Sequence, residues 1–139
     1  MTDHDRADDP LRQQLTDEIV ANAAVGIVVY DRELRYVLFN PFMEALTGRT
    51  AADVVGKLST ELFSQARRSG IEALLQRALG GQTVNSPDIP VHVEASGRDA
   101  WVVATYAPRR NPQGEVVGVI GVVRDITERK RTEDALRES

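Results

Sequence analysis

Residues 116–123 read Val-Val-Gly-Val-Ile-Gly-Val-Val, with Val116, Val117, Val119, Ile120, Val122 and Val123 apolar at both parities of an extended chain. Successive side chains of a strand point to opposite faces, so a strand apolar at both parities has no wet face. Any sheet built on this segment must be covered on both sides. Two separate covers therefore have to come from the rest of the chain or from a second copy.

The neighbouring segments supply the sheet. Ile27-Val28-Val29-Tyr30 and Tyr36-Val37-Leu38-Phe39 are β-branched and aromatic runs separated by the polar link 31–35, the pattern of a hairpin. Ile89, Val91 and Val93 alternate with Pro90, His92 and Glu94, which reads as a strand with one wet face. Ser96-Gly97-Arg98-Asp99 makes a turn into a longer strand over residues 100–107. Asn111-Pro112-Gln113-Gly114 makes another turn into the valine strand. Grouped strands joined by short turns predict an antiparallel sheet in an α+β fold.

Helices fill the middle. Asn40-Pro41 offers an N-cap and a proline at the first helical position, Phe42, Met43 and Leu46 form a buried face, and Gly48 stands where a C′ glycine belongs. Thr50 and Asp53 mark a second short helix closed by Gly56. A longer helix is expected over residues 64–79, with Ile71, Leu74, Leu75, Ala78 and Leu79 at helical spacing and Gly80-Gly81 as its stop. These helices can cover one sheet face. The other cover is left to the stripe Leu11, Leu15, Ile19 with Val20 alongside, as a folded-back helix or a dimer contact. The organisation expected is a disordered tail over 1–10, an amphipathic helix over 11–24, a core over 25–126 and a C-terminal signalling helix or linker over 127–139.

At the far end, the valine strand runs without a turn into Asp125-Ile126-Thr127-Glu128. Asp125 and Glu128 have the spacing of an N-cap and its reciprocal acid, so a helix should begin where the strand stops. The segment from Arg129 to Ser139 is rich in helix formers, with Leu136 as a sparse apolar point. A strand wired directly into a helix with no core of its own reads as an output lever; a solvated terminal helix is the plainer alternative.

Composition narrows the function classes. The net charge is −4 over 139 residues, which argues against a nucleic-acid surface. There is no cysteine, which removes disulfides, thiolate metal sites and thiol nucleophiles. The polar start and the lack of any long apolar run predict a cytoplasmic chain with no direct membrane contact. Catalysis would rest on acids such as Glu44, Glu61 and Glu72, which fall among polar neighbours on helices and read as solvated charge. No enzyme, and no metal site, is expected of the domain itself.

The ordered set Gly26-Ile27-Val28-Val29-Tyr30-Asp31, Asn40 to Gly48, Val55-Gly56-Lys57 and Gly118 to Lys130 resembles a PAS domain, the sensor module of bacterial histidine kinases, cyclases and related signalling proteins. The resemblance implies a five-stranded antiparallel sheet in the order 2-1-5-4-3 with helices on one face. It also implies a module of signal transduction and two-component systems that dimerises and passes a conformational signal through Asp125, Ile126, Thr127 and Glu128 to an effector. The homodimer would use Leu11, Leu15, Ile19 and Val20 as the outer cover, and an effector would follow in a longer parent.

Members of the family hold haem, flavin or small metabolites between helices and sheet, or hold nothing. Here residues 64–79 carry no histidine for haem, and His4 and His92 read as surface groups. The reactive cysteine of photoactive flavin members is missing. A non-covalent flavin could use Trp101 and Tyr106, whose plainer role is packing. The pocket candidates are Asn40, Phe42, Leu46, Leu74, Trp101 and Tyr106, with Arg109 a further polar group, although Asn40 is already accounted for as a cap. No cofactor is expected, an unidentified small ligand stays open, and a metabolite sensor is the alternative to a dimerising relay.

Overall fold

The computed structural model describes residues 14, 25–62, 70–93 and 96–138. Six strands form one antiparallel sheet: β1 (Gly26–Asp31), β2 (Tyr36–Phe39), β3 (Val84–Asn85), β4 (Ile89–Val93), β5 (Arg98–Arg110) and β6 (Val116–Asp125). The order is β2-β1-β6-β5, with β3 and β4 both paired to β5 on its far side. Counting β3 and β4 as one interrupted strand gives the expected 2-1-5-4-3. The helices are α1 (Pro41–Thr47), α2 (Ala51–Val54), α3 (Ser59–Leu62), α4 (Ile71–Leu79) and α5 (Thr127–Glu138).

The interruption between β3 and β4 falls at Ser86-Pro87-Asp88. Pro87 has no N–H to give to a ladder, which weakens strand pairing there. Ser86 takes over the pairing: its amide donates to the Ala104 carbonyl at 2.8 Å, and its Oγ accepts the Ala104 amide at 2.9 Å. The break is thus pinned to β5. Asp88 is the residue it turns outward.

Local chemistry sets the helix ends. Asn40 caps α1, accepting the Met43 amide, and Gly48 closes it at φ 74°. Thr50 caps α2 by accepting the Asp53 amide. Of the helix expected from Ser64 to Leu79, residues 64–69 lie outside the described residues, and a break falls at Gly70. Gly70, at φ 76°, lies in the left-handed region and α4 starts after it, so a right-handed helix cannot run through that position. In the β1–β2 link Leu34 is a non-glycine residue at φ 65°, held by the Asp31 side chain, whose Oδ1 accepts the amides of Glu33 and Arg35.

The register places Val28, Tyr30, Val119, Gly121, Val123, Ala104 and Tyr106 on one face, opposite Met43, Leu46, Leu75 and Ala78 of the helices. On the other face Ile27, Val29, Ile120 and Val122 are half-buried, and Val103 is buried. The residues proposed to cover that face, Leu11, Leu15, Ile19 and Val20, lie outside the described residues, as does most of the 11–24 segment.

Candidate functional site at the strand–helix junction

Asp125 is the last residue of β6, Ile126 is the only residue between strand and helix, and Thr127 opens α5. The helix therefore begins one residue later than an N-cap at Asp125 requires. Ile126 holds the N-cap position, its carbonyl accepting the Lys130 amide at 3.0 Å. Asp125 caps from the preceding position: its Oδ1 accepts the Thr127 amide at 2.8 Å and the Thr127 hydroxyl at 2.5 Å. The reciprocal role expected of Glu128 is consequently not the one that starts the helix; Glu128 is exposed on the first turn.

The second anchor is Trp101 on β5. Its amide donates to Thr127 Oγ1 at 3.0 Å, and its carbonyl accepts the Ile126 amide at 2.8 Å. Both main-chain groups of one β5 residue are thus committed to the start of α5. The Trp101 ring lies under Lys130, whose Nζ is 4.6 Å from the ring centroid. Ile126 is buried, so the junction has an apolar pin as well as polar clamps.

A third anchor is Asp88, in the break between β3 and β4. Arg129 Nη2 donates to both Asp88 oxygens at 3.1 Å, and Lys130 Nζ donates to Asp88 Oδ2 at 3.3 Å. Partial desolvation works against ionisation of this carboxylate, but the hydrogen bonds and charges of Lys130 and Arg129 outweigh it and hold Asp88 below the usual carboxylate range. One trace of this was present in the sequence. Arg129 and Lys130 sit in the first turn of a helix, at its positive end, where cations are disfavoured unless an acid arrives from elsewhere.

The interior pocket candidates divide. Phe42, Leu46, Leu74 and Tyr106 belong to or pack against the main core. Trp101 does not join them: it pairs with Pro90 on the opposite sheet face, the face expected to be wet for β4. Asn40 is buried and makes three hydrogen bonds to the main chain. Its Oδ1 accepts the amides of Ile27 and Met43, and its Nδ2 donates to the Val25 carbonyl at 2.9 Å, locking β1 to α1. Arg109 lies across from Gly118 on the outer face.

The interior polar groups are instead tyrosines. Tyr30 and Tyr36 have ring centroids 4.8 Å apart, and Tyr106 lies 6.5 Å from Tyr30. Burial pushes all three phenols above the usual range, while hydrogen bonds with Tyr30 and Ser59 temper the shift at Tyr36. Gly121 makes room for this cluster, since a Cβ there would meet Val28 Cγ2 at 2.7 Å and Tyr106 Cε1 at 2.8 Å. No group of three His, Asp or Glu side chains among the described residues could hold a metal ion, and no described helix is long and apolar enough to cross a membrane. His92 is exposed, with Nδ1 3.0 Å from Asp99 Oδ1.

A family model described as the PAS fold matches residues 20–131. The signal transduction histidine-protein kinase AtoS of Escherichia coli is 26% identical over 121 residues, 86% of this chain and 19% of that protein. The methanogenesis regulatory histidine kinase FilI of Methanothrix harundinacea is 31% identical over 112 residues, 81% of this chain and 12% of that protein. The chain thus spans less than a fifth of the length of these relatives. Among solved structures, the PAS domain of Bordetella pertussis BvgS is 27% identical at a TM-score of 0.56, covering 92% of this chain and 99% of that one. An RNA-binding light-oxygen-voltage receptor is 28% identical at a TM-score of 0.71, covering 93% of this chain and 37% of that one.

Proposed function

Because this chain belongs to the PAS-fold family and is homologous to PAS domains of sensor histidine kinases, we propose that it is a sensor and relay module whose output leaves through α5. The observation that carries this reading is the passage from β6 to α5 through Ile126 alone, braced by Asp125, Thr127 and Trp101. With both main-chain groups of Trp101 bonded to the helix start, a shift of β5 or β6 is transmitted to α5 rather than absorbed by a loop. In this reading the module works in the cytoplasm as a homodimer, with Leu11, Leu15, Ile19 and Val20 in the outer cover, and drives a C-terminal effector of the histidine-kinase type. The net charge of −4 favours a protein effector over a nucleic acid, even though one relative at 28% identity binds RNA.

The test is a fusion of this chain, through Ser139, to a histidine-kinase catalytic portion. Asp125→Ala is expected to change autophosphorylation severalfold while the sheet stays folded by circular dichroism. Unaltered autophosphorylation with the helix start demonstrably loosened would remove the junction from the output path.

One observation favours metabolite sensing as a second reading. Tyr30, Tyr36, Ser59 and Tyr106 gather polar groups on the inner face, where a small polar ligand would exchange hydrogen bonds with them. Native mass spectrometry of freshly purified protein would show a retained adduct; a bare-chain mass alone would count against this reading.

A further inference from the structure

We propose that Asp88 is an electrostatic latch which fixes the direction in which α5 leaves the sheet, and that the β3–β4 edge is thereby a second route to the output helix, separate from β6. The inference deepens the relay reading and rests on it only for its use; the latch itself is a property of the fold. Three observations converge. Asp88 holds Arg129 and Lys130, the third and fourth residues of α5, across 41 and 42 positions of sequence. Lys130 is in turn seated on the Trp101 ring, so the pair is not a loose surface contact. The segment bearing Asp88 is pinned to β5 by Ser86 on one side and enters β4 at Ile89 on the other.

Ile89 is a core residue paired with Val102 on the inner face, immediately after Asp88. A displacement of the inner face at Ile89 therefore moves the carboxylate that holds the helix. The polar clamps at Asp125 and Thr127 tie the start of α5 to the end of β6 and to Trp101 of β5, whereas Asp88 reaches it from the β3–β4 edge. With the latch closed, α5 is held at two points and cannot swing. With it open, the remaining bonds at Thr127 and Ile126 act as a pivot. Screening weakens half-exposed charge contacts, so the latch also makes the helix responsive to ionic strength.

The test uses the whole 139-residue chain and needs no effector. Hydrogen–deuterium exchange by mass spectrometry is followed for peptides spanning 127–138 and for peptides of β1 and β6, in wild type and Asp88→Asn. The variant is expected to exchange roughly 3–10-fold faster across α5 with β1 and β6 unaltered, the size of change that loss of a partly exposed charge network gives. Wild type at about 1 M salt should approach the variant's rate, and the variant should show little further response. Trp101, the sole tryptophan, should change its emission in the same conditions. Equal α5 exchange in variant and wild type overturns the latch, and so does faster exchange spread evenly over β1 and β6. Because the readout is exchange and not kinase output, failure here leaves the relay reading standing, and failure of the relay leaves the latch standing.

Discussion

Trp101 donates its amide to the hydroxyl of Thr127 at 3.0 Å, although 26 residues separate them. That single bond ties the N-terminal part of the longest strand to the first residue of the exit helix. The same hydroxyl donates to Asp125, so Thr127 is both acceptor and donor in a three-residue relay. A serine could reproduce the bonds, and a valine could not.

Thr127→Val keeps the shape of the side chain and removes the relay. We expect a loss of about 1 kcal/mol, typical of a helix cap, in urea unfolding followed by circular dichroism. Trp101 emission should shift as its amide loses its partner. Thr127→Ser should recover most of both, and a serine variant as impaired as the valine would contradict the hydrogen-bond account.

Asn40 ties β1 to α1 through three hydrogen bonds. Asn40→Ala strands the amides of Ile27 and Met43 and the Val25 carbonyl in a buried setting, an expected cost of about 2–4 kcal/mol for several unsatisfied groups. Chemical denaturation measures it directly. A change within about 0.5 kcal/mol, the range of ordinary surface substitutions, would show that the three bonds do not brace the fold.

Gly121 is a packing constraint. A methyl there collides with Val28 and the Tyr106 ring, so Gly121→Ala should destabilise by about 1–3 kcal/mol, the usual cost of overpacking. Thermal melting with a crystal structure or chemical shifts of Val28 and Tyr106 would check it. An unchanged melting temperature would mean the tyrosine cluster is more yielding than the close contacts require.

The chain has three tyrosines, Tyr30, Tyr36 and Tyr106, and all are buried. Their folded pKa values lie above the unfolded value, so near pH 10 the unfolded chain releases phenol protons that the folded chain keeps. Stability is then full below about pH 10 and falls as pH rises above it. A phenolate titration at 295 nm should show almost no ionisation at pH 10 and then a cooperative rise as the protein unfolds. A gradual single-phenol titration centred near 10 in folded protein would contradict the burial.

Local signals made much of the fold legible. Asn40-Pro41, Thr50 and Gly48 mark helix ends by short-range chemistry, and each does so in the structure. The alternation Ile89, Val91, Val93 against Pro90 and His92 also gives the inner and outer faces of β4 correctly. Trp101 shows where such reading stops. Its size and ring suit a ligand pocket, but the register of β5 against β4 sets it beside Pro90 on the outer face. The long helix from Ser64 failed at Gly70, because apolar spacing is blind to a single left-handed residue. Asp88 was out of reach for a different reason. Its partners are 41 and 42 residues away, and the registers of β4 on β5 and of β5 on β6 bring them together.

The transmission claim is tested most directly by a double-mutant cycle in the kinase fusion. Gly121→Ala perturbs the inner face, and two glycines inserted between Asp125 and Ile126, made together with Asp88→Asn so that the β3–β4 edge no longer holds the helix, uncouple the sheet from α5. Gly121→Ala should alter autophosphorylation in the uninterrupted fusion and leave it unaltered in the glycine-inserted one, a coupling that appears as non-additivity of the two changes. Equal effects of Gly121→Ala in both fusions would contradict transmission through the junction.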